Sequence, residues 1–219
     1  MKISRFLFFL LLLLFNCQDQ ETTFTPNEPI DNNILLEDLG RGLFYQTFNE
    51  KTIPIYYYIP NNVSSSTAVV FNIHGGGRDG ESTRNMMESK ADQYGFIIIA
   101  PEFSNINFPG GDGFNLGNVY IDGDNPTSQS LNDVSEWAFS IIEPIFDVFI
   151  TNTNTNVDKY HLFGHSAGAQ FVHRFMLFNS NARYDKILTS AAGWFTVLDN
   201  NIQFPVSYTH LRAHETKCY

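Results

Sequence analysis

Residues 160–178 read YHLFGHSAGAQFVHRFMLF. Their first part, Tyr160 to Gly164, predicts a strand, and Ala167 to Phe178 predict a helix. Gly164-His165-Ser166-Ala167-Gly168 joins the two as a G-x-S-x-G pattern, whose small residues allow a sharp turn that presents the serine hydroxyl. A random chain of this length contains the pattern in roughly one case in fifteen. Its place between a strand and a helix is therefore the stronger observation.

A second glycine-rich motif, His74-Gly75-Gly76-Gly77, follows an apolar run from Thr67 to Ile73. Such a continuous run is typical of a strand that is buried on both faces of a sheet. The backbone of Gly75, Gly76 and Gly77 can approach a ligand closely and aim its N–H groups at it. Together with the N–H of Ala167, at a helix start, these groups are suited to stabilise an oxyanion. A glycine-rich turn without chemistry is the alternative.

Strands and helices alternate around these two motifs. The predicted strands cover residues 43–48, 52–59, 67–73, 96–100, 160–164 and 187–192, and the predicted helices cover 82–94, 131–150 and 167–178. The helix over 131–150 is expected to begin behind Ser130 and to kink at Pro144. The alternation predicts an α/β fold, a mostly parallel sheet with helices on both faces.

The stretch between Ser104 and Ser130 is rich in Gly, Asn and Asp and exceeds an ordinary strand-to-helix connection. Loops of this length are typically binding loops or lids, or disordered segments. The sequence DGDN at residues 122–125 resembles part of a calcium loop, but the EF-hand pattern requires Gly at position 127, where this chain has Thr. We therefore assign no metal site.

In this order and on these elements, the two motifs resemble those of the α/β-hydrolase superfamily, in particular its serine esterases and lipases. The resemblance covers about residues 43–200, the N-terminal part of that fold. It implies that Ser166 is the nucleophile, which forms an acyl-enzyme with an ester substrate. The three glycines and Ala167 then form the oxyanion hole, and no cofactor is implied.

Several functions remain open within this resemblance. The separation between His74 and Ser166 is longer than in compact hormone-sensitive-lipase-like esterases, and His165 stands where those enzymes carry Asp. Feruloyl-esterase-like, polyester-depolymerase-like and related secreted esterases are therefore alternatives, acting on small-molecule or polymer-linked esters. Two other interpretations are a non-catalytic cell-surface binding protein that retains the fold and a serine peptidase of the same fold.

The catalytic acid and base should follow the nucleophile in that order. Asp199 is a candidate acid, although its Asp-Asn-Asn context also suits a surface turn. His210 and His214 follow Asp199 too closely to stand after another parallel strand and its crossover, so neither is assigned as the base. The expectation is that the fold is incomplete at the C-terminus and that both groups lie further on.

Both ends are predicted to lie outside the domain, which we place at residues 41–205. Residues 1–17 carry two cations and an apolar run too short to span a bilayer, as in an export signal. Cys17 resembles the lipidated cysteine of a bacterial lipoprotein, with cleavage and free secretion as the alternative. Residues 18–40 are polar and predict a tether. Residues 206–219 contain VSYTHLRAHET, which resembles a translated sequencing adapter and predicts a non-native tail.

Charge and composition limit the classes of partner that the chain is expected to bind. The 219 residues are 43% hydrophobic with a net charge of −10, and residues 18–205 keep 9 of the 13 cations and 22 of the 23 acids, which gives −13. Such an acidic domain argues against nucleic acid as a partner. Membrane contact is expected only through the lipid anchor. Because Cys17 and Cys218 both lie in the terminal segments, no disulfide is predicted.

Overall fold

The computed structural model describes residues 39–153, 155–197, 199 and 204, which contain one six-stranded sheet. Its strands are β1 (Gly40–Phe48), β2 (Lys51–Ile59), β3 (Ala68–Ile73), β4 (Phe96–Pro101), β5 (Tyr160–His165) and β6 (Tyr184–Ser190). Their order is β1-β2-β4-β3-β5-β6. β2 pairs antiparallel with β1 and β4, whereas the pairs β4–β3, β3–β5 and β5–β6 are parallel. The predicted α/β class with a mostly parallel sheet is confirmed.

The described residues form four helices, and the first has a well-defined start and end. The helices are α1 (Gly80–Tyr94), the single turn α2 (Gly110–Gly113), α3 (Ile142–Thr153) and α4 (Ala167–Phe178). The carboxylate of Asp79 accepts from the N–H of Ser82 at 2.8 Å and caps α1. Gly95 ends α1 with a φ of 70°, which glycine adopts without strain. None of the helices in this part of the chain is long and apolar enough to cross a membrane.

The predicted helix over residues 131–150 is wrong in its first half. That half contains two short 3₁₀ turns, at Val134–Glu136 and Ala138–Ile141. The α-helix begins only at Ile142, so Pro144 lies in its first turn, where a missing N–H costs nothing and no kink results. Ser130 does not cap a helix, since its hydroxyl accepts from the N–H of Thr127 at 2.9 Å.

A cluster of phenylalanine rings fixes the loop after β4, residues 102–115, which we call the β4 loop. Phe103 and Phe114 from this loop lie with their ring centroids 4.9 and 5.6 Å from that of Phe171 in α4. Phe139 contacts the same ring at 4.9 Å, and all four rings are fully buried. Burying each ring stabilises the fold by about 2 kcal/mol, so the β4 loop is held firmly on α4.

The predicted terminal segments fall outside the described residues. This holds for the export signal with Cys17, for the tether up to residue 38, and for the tail 206–219. β1 begins at Gly40, one residue before the predicted start of the domain at residue 41.

Candidate active site

Ser166 stands on a strained turn between β5 and α4. Its φ of 56° and ψ of −119° lie in a region that residues other than glycine rarely adopt. The backbone around it is held at both sides, since the N–H of Ser166 donates to the carbonyl of Ser190 at 2.9 Å and the N–H of Gln170 donates to the carbonyl of Ser166 at 3.2 Å. Ser166 itself is exposed. The sharp strand-to-helix turn predicted from G-x-S-x-G is therefore confirmed.

The two outer glycines of the motif are required by packing. A Cβ on Gly164 would lie 2.3 Å from the carbonyl oxygen of Gly168, and a Cβ on Gly168 would lie 2.2 Å from the carbonyl oxygen of Ile73. Both obstacles are backbone atoms in a densely packed region and have no room to move aside. The turn therefore packs directly on the end of β3, beside the residues that follow this strand.

The glycine-rich loop after β3 lies next to Ser166. A Cβ on Gly75 would stand 3.5 Å from the Cβ of Ser166, which is ordinary contact distance. Gly76 and Gly77 face open space and line a cavity that is also lined by Ala167. The structure thus brings together the serine and all four residues predicted to form an oxyanion hole.

His74 is buried beneath this loop and fixes its backbone. The N–H of Phe103 donates to Nε2 of His74 at 2.9 Å, so Nε2 is an acceptor. We therefore assign the proton to Nδ1, which donates to the carbonyl of Gly75 at 2.9 Å. Burial lowers the pKa of His74 to about 4, which keeps the ring neutral. Because a peptide unit is planar, fixing the Gly75 carbonyl also fixes the direction of the Gly76 N–H.

Acidification is expected to destabilise the fold through His74. Its pKa is about 4 in the folded chain and about 6.5 when unfolded. The unfolded chain therefore takes up the proton first, so the stabilisation is complete above pH 6.5 and is lost as the pH falls towards 4. Between pH 7 and pH 4.5 the loss is about 2 kcal/mol.

Urea unfolding of the wild type and of His74→Gln at both pH values measures this loss. Carboxylates titrate alike in the two proteins, so the wild type should lose about 2 kcal/mol more than the variant. An equal loss in both proteins would contradict the assignment of a neutral, buried ring to His74.

A cavity of about 490 Å³ opens beside Ala167. Its walls come from residues 76–78 of the glycine-rich loop, from Asn105 and Gly110, and from the end of the β4 loop at Phe114 and Asn115. Small-molecule sites commonly have volumes of roughly 300–1,000 Å³. The cavity is therefore large enough to hold a substrate group next to the candidate oxyanion donors.

Arg78 connects the two loops that form the cavity. Its guanidinium donates to the carbonyls of Phe103 at 2.7 Å and Phe108 at 3.0 Å, and to that of Gly110. The Cζ atom lies 4.2 Å from the ring centroid of Phe114, in a cation–π contact. Burial lowers the pKa of Arg78, yet an arginine remains charged at any ordinary pH. A fixed positive charge therefore stands in the cavity wall.

A second arginine lies behind the same wall. Arg174 in α4 is completely buried, and its Nη1 donates to the carbonyls of Asn115 and Gln170, both at 3.1 Å. Its Cζ lies 4.1 Å from the ring centroid of Trp194, and burial lowers the pKa of Arg174 to about 10. The Nδ2 group of Asn115 donates to Oε1 of Gln170 at 2.6 Å. These contacts fix Asn115, a cavity wall, to the helix that follows Ser166.

A general base for Ser166 is not found in the described part of the chain. No histidine there forms a hydrogen bond with the Ser166 hydroxyl, and Nε2 of His173 donates instead to the carbonyl of Thr196 at 2.8 Å. Asp199 follows β6, and its role as the acid stays a prediction. His210 and His214 lie outside the described residues.

Sequence reasoning missed both arginines. The only available signal for Arg78 is its place directly after the three glycines, which suggests proximity to the site without a role. The sequence signal for Arg174 is weaker still, because an arginine in a helix is normally assigned to the exposed face. Its complete burial depends on the β4 loop and on Trp194, which no local pattern reveals.

No family model matches the chain, and no curated protein matches it. Among solved structures it is similar to poly(aspartic acid) hydrolase-1 from Sphingomonas sp. KT-1, with 34% identity and a TM-score of 0.69 over 77% of this chain and 62% of that one. It is also similar to LpqC, a poly(3-hydroxybutyrate) depolymerase from Bordetella parapertussis, with 26% identity and a TM-score of 0.72 over 82% of this chain and 61% of that one. The chain spans about three fifths of the length of each.

Proposed function

We propose that this chain, which has the α/β-hydrolase fold, is a serine hydrolase that cleaves carboxylic esters through an acyl-enzyme on Ser166. One observation carries the proposal. Ser166 is exposed on a strained turn, and the glycine-rich loop and Ala167 stand beside it at the edge of a cavity. A strained turn persists only where surrounding contacts hold it, and such strain is concentrated at functional sites.

The reaction proposed for this site has two steps. The Ser166 oxygen attacks the ester carbonyl and gives up its proton to a base, and the alcohol leaves to give an acyl-enzyme. Water then attacks the acyl-enzyme, which releases the carboxylic acid product and restores the Ser166 hydroxyl. In both steps the negative oxygen is stabilised by backbone N–H groups of the glycine-rich loop and of Ala167, at the positive end of the α4 dipole. The acid and base are proposed to lie after β6.

The hydrogen bond from His74 supports this mechanism. An oxyanion hole is effective when its donors are already oriented before the reaction, because no reorganisation is then needed. The Nδ1–H of His74 and the N–H of Arg78 both donate to the carbonyl of Gly75, at 2.9 and 3.2 Å. The adjacent N–H of Gly76 is therefore held in one direction in the absence of substrate.

A second candidate function is amide hydrolysis by the same serine. It is favoured by the similarity to a poly(aspartic acid) hydrolase, since the units of that polymer are joined by amide bonds. The similarity to a poly(3-hydroxybutyrate) depolymerase favours ester hydrolysis, since that polymer is a polyester. We place ester hydrolysis first because an ester has a better leaving group and needs less assistance from an acid.

Covalent labelling tests whether Ser166 is the nucleophile, and a matched ester and amide test which bond is cleaved. The protein to use is the full-length product of the gene that encodes this chain. A fluorophosphonate should add to Ser166, as seen by peptide mass spectrometry, and p-nitrophenyl butyrate should be hydrolysed at least about 100-fold faster than the matching p-nitroanilide. Faster cleavage of the anilide would favour the peptidase. Absence of both labelling and hydrolysis would favour a non-catalytic binding protein.

A further inference from the structure

The arginines in the described part of the chain fall into two groups. Three are paired with carboxylates: Arg41 with Glu88, Arg84 with Glu81 and Glu88, and Arg183 with Glu143 and Asp147. Arg78 and Arg174 have no carboxylate partner among the described residues, and both contact the β4 loop. The chain has a net charge of −10, so acids are plentiful. The two unpaired arginines are also the two beside the candidate site.

Arg78 has hydrogen-bonding capacity to spare. A guanidinium carries five N–H donors, and the carbonyls of Phe103, Phe108 and Gly110 occupy three of them. Two donors thus remain on a side chain that forms part of the cavity wall. The other polar side chains of the wall are the neutral amides of Asn105 and Asn115, and no described Asp or Glu lines the cavity. The cavity therefore presents one positive charge and no negative one.

A partly buried charge without a counter-ion is costly. Taking a cation out of water loses solvation, and the cost is normally offset by an anion in contact with it. Arg78 meets only carbonyl dipoles and an aromatic ring. A carboxylate in the cavity would supply the missing partner and accept charge-assisted hydrogen bonds from the remaining donors.

We propose that this cavity binds a carboxylate carried by the ester substrate, and that Arg78 is the residue that selects it. The inference rests on the proposed ester hydrolysis at Ser166. Among the described residues, Arg78 is the one charged side chain in the cavity lining, so the cavity can pair with one carboxylate. The substrate class is accordingly a short ester with one carboxylate close to the scissile bond, on its acyl or its alcohol side.

Paired esters that differ by one carboxylate test this selection. Monoethyl succinate against ethyl pentanoate tests the acyl side, and acetoxyacetate against ethyl acetate tests the alcohol side. On at least one side the wild type should favour the anionic ester by about 10- to 100-fold in kcat/KM. Arg78→Gln should abolish that preference, and Arg78→Lys should retain part of it through its charge. Arg41→Gln, which removes a cation paired on the surface, should leave the preference intact.

Binding of a product gives a readout that does not depend on turnover. Succinate, titrated into Ser166→Ala by calorimetry, should bind, and adding Arg78→Gln should weaken its affinity by about 10-fold or more. Circular dichroism confirms that each variant is folded, and where Arg78→Gln is not, Arg78→Lys must show a reduced preference. Equal kcat/KM for the members of both ester pairs, or a preference that persists in Arg78→Gln, would overturn the proposal.

The two readouts also separate this inference from the proposed function. Hydrolysis of neutral esters without any anionic preference leaves the serine hydrolase intact and refutes the role of Arg78. Arg78-dependent binding of succinate, with no hydrolysis of any ester, refutes the hydrolase and retains the carboxylate site. Weak binding of succinate that is equal in Ser166→Ala with and without Arg78→Gln indicates nonspecific binding and refutes the site.

Discussion

Replacing Ser166 by alanine is expected to lower kcat/KM for ester substrates by about 10⁴-fold or more. The reason is chemical: the acyl-enzyme cannot form without the hydroxyl, and only oriented backbone donors remain to assist direct attack by water. The measurement is the initial rate of p-nitrophenyl butyrate hydrolysis at matched concentrations of folded protein.

The fold should survive this substitution. Alanine has the same Cβ as serine, so the strain at a φ of 56° is unchanged. The Ser166 side chain is exposed and forms no hydrogen bond with the described residues, so the free energy of unfolding should change by less than about 0.5 kcal/mol. Ser89→Ala on the exposed surface of α1 is the matched control and should retain full activity. Substantial hydrolysis by Ser166→Ala would show that another group attacks the ester.

The parts of the site that the sequence predicts are those whose constraints are local. A serine that must project from a turn between a strand and a helix needs small residues at fixed neighbouring positions, so Gly164 and Gly168 identify it. The loop at His74 to Gly77 is recognisable for a similar reason, because it follows a buried strand directly. The sequence therefore indicates the candidate nucleophile and its surroundings before any tertiary contact is known.

The error at residues 131–141 has the opposite origin. The apolar residues there are spaced as in a helix, but Phe139 is buried against Phe171 of α4 from within a 3₁₀ turn. Apolar periodicity reports which side chains are buried and does not distinguish a 3₁₀ turn from a continuous helix. Pro144 was compatible with a kinked helix or with a helix start, and tertiary packing selects the start.

The cavity and its charge depend on contacts that are distant in sequence. Arg78 bonds carbonyls that lie 25 to 32 residues further along the chain, and Asn115 bonds Gln170 across 55 residues. The tautomer of His74 likewise depends on a donor in the β4 loop, the N–H of Phe103. No periodicity or motif encodes such pairs, because each half is an ordinary residue in its own neighbourhood. The sequence therefore indicates the candidate nucleophile but not the contacts that build the cavity beside it.

Among the variants discussed, Gly168→Ala is expected to lower the free energy of unfolding most, by about 3 kcal/mol or more. The new Cβ would lie 2.2 Å from the carbonyl oxygen of Ile73 and 2.5 Å from that of His74. These are backbone atoms at the end of a central strand, so the strain can be relieved only by moving α4 away from β3. That movement would also shift Ala167 relative to the glycine-rich loop, so activity should fall with stability.

Gly76→Ala provides the control within the same site. A Cβ on Gly76 meets nothing within 4 Å, so the free energy of unfolding should change by less than about 1 kcal/mol. Both substitutions add one methyl group to a glycine near Ser166, and the helical position of Gly168 by itself favours alanine, so a loss of stability there comes from what the group meets. Urea unfolding of the two variants and the wild type measures the difference. Equal stability of Gly168→Ala and Gly76→Ala would mean that α4 does not pack on β3 as closely as described, and the placement of Ser166 beside the glycine-rich loop would fail with it.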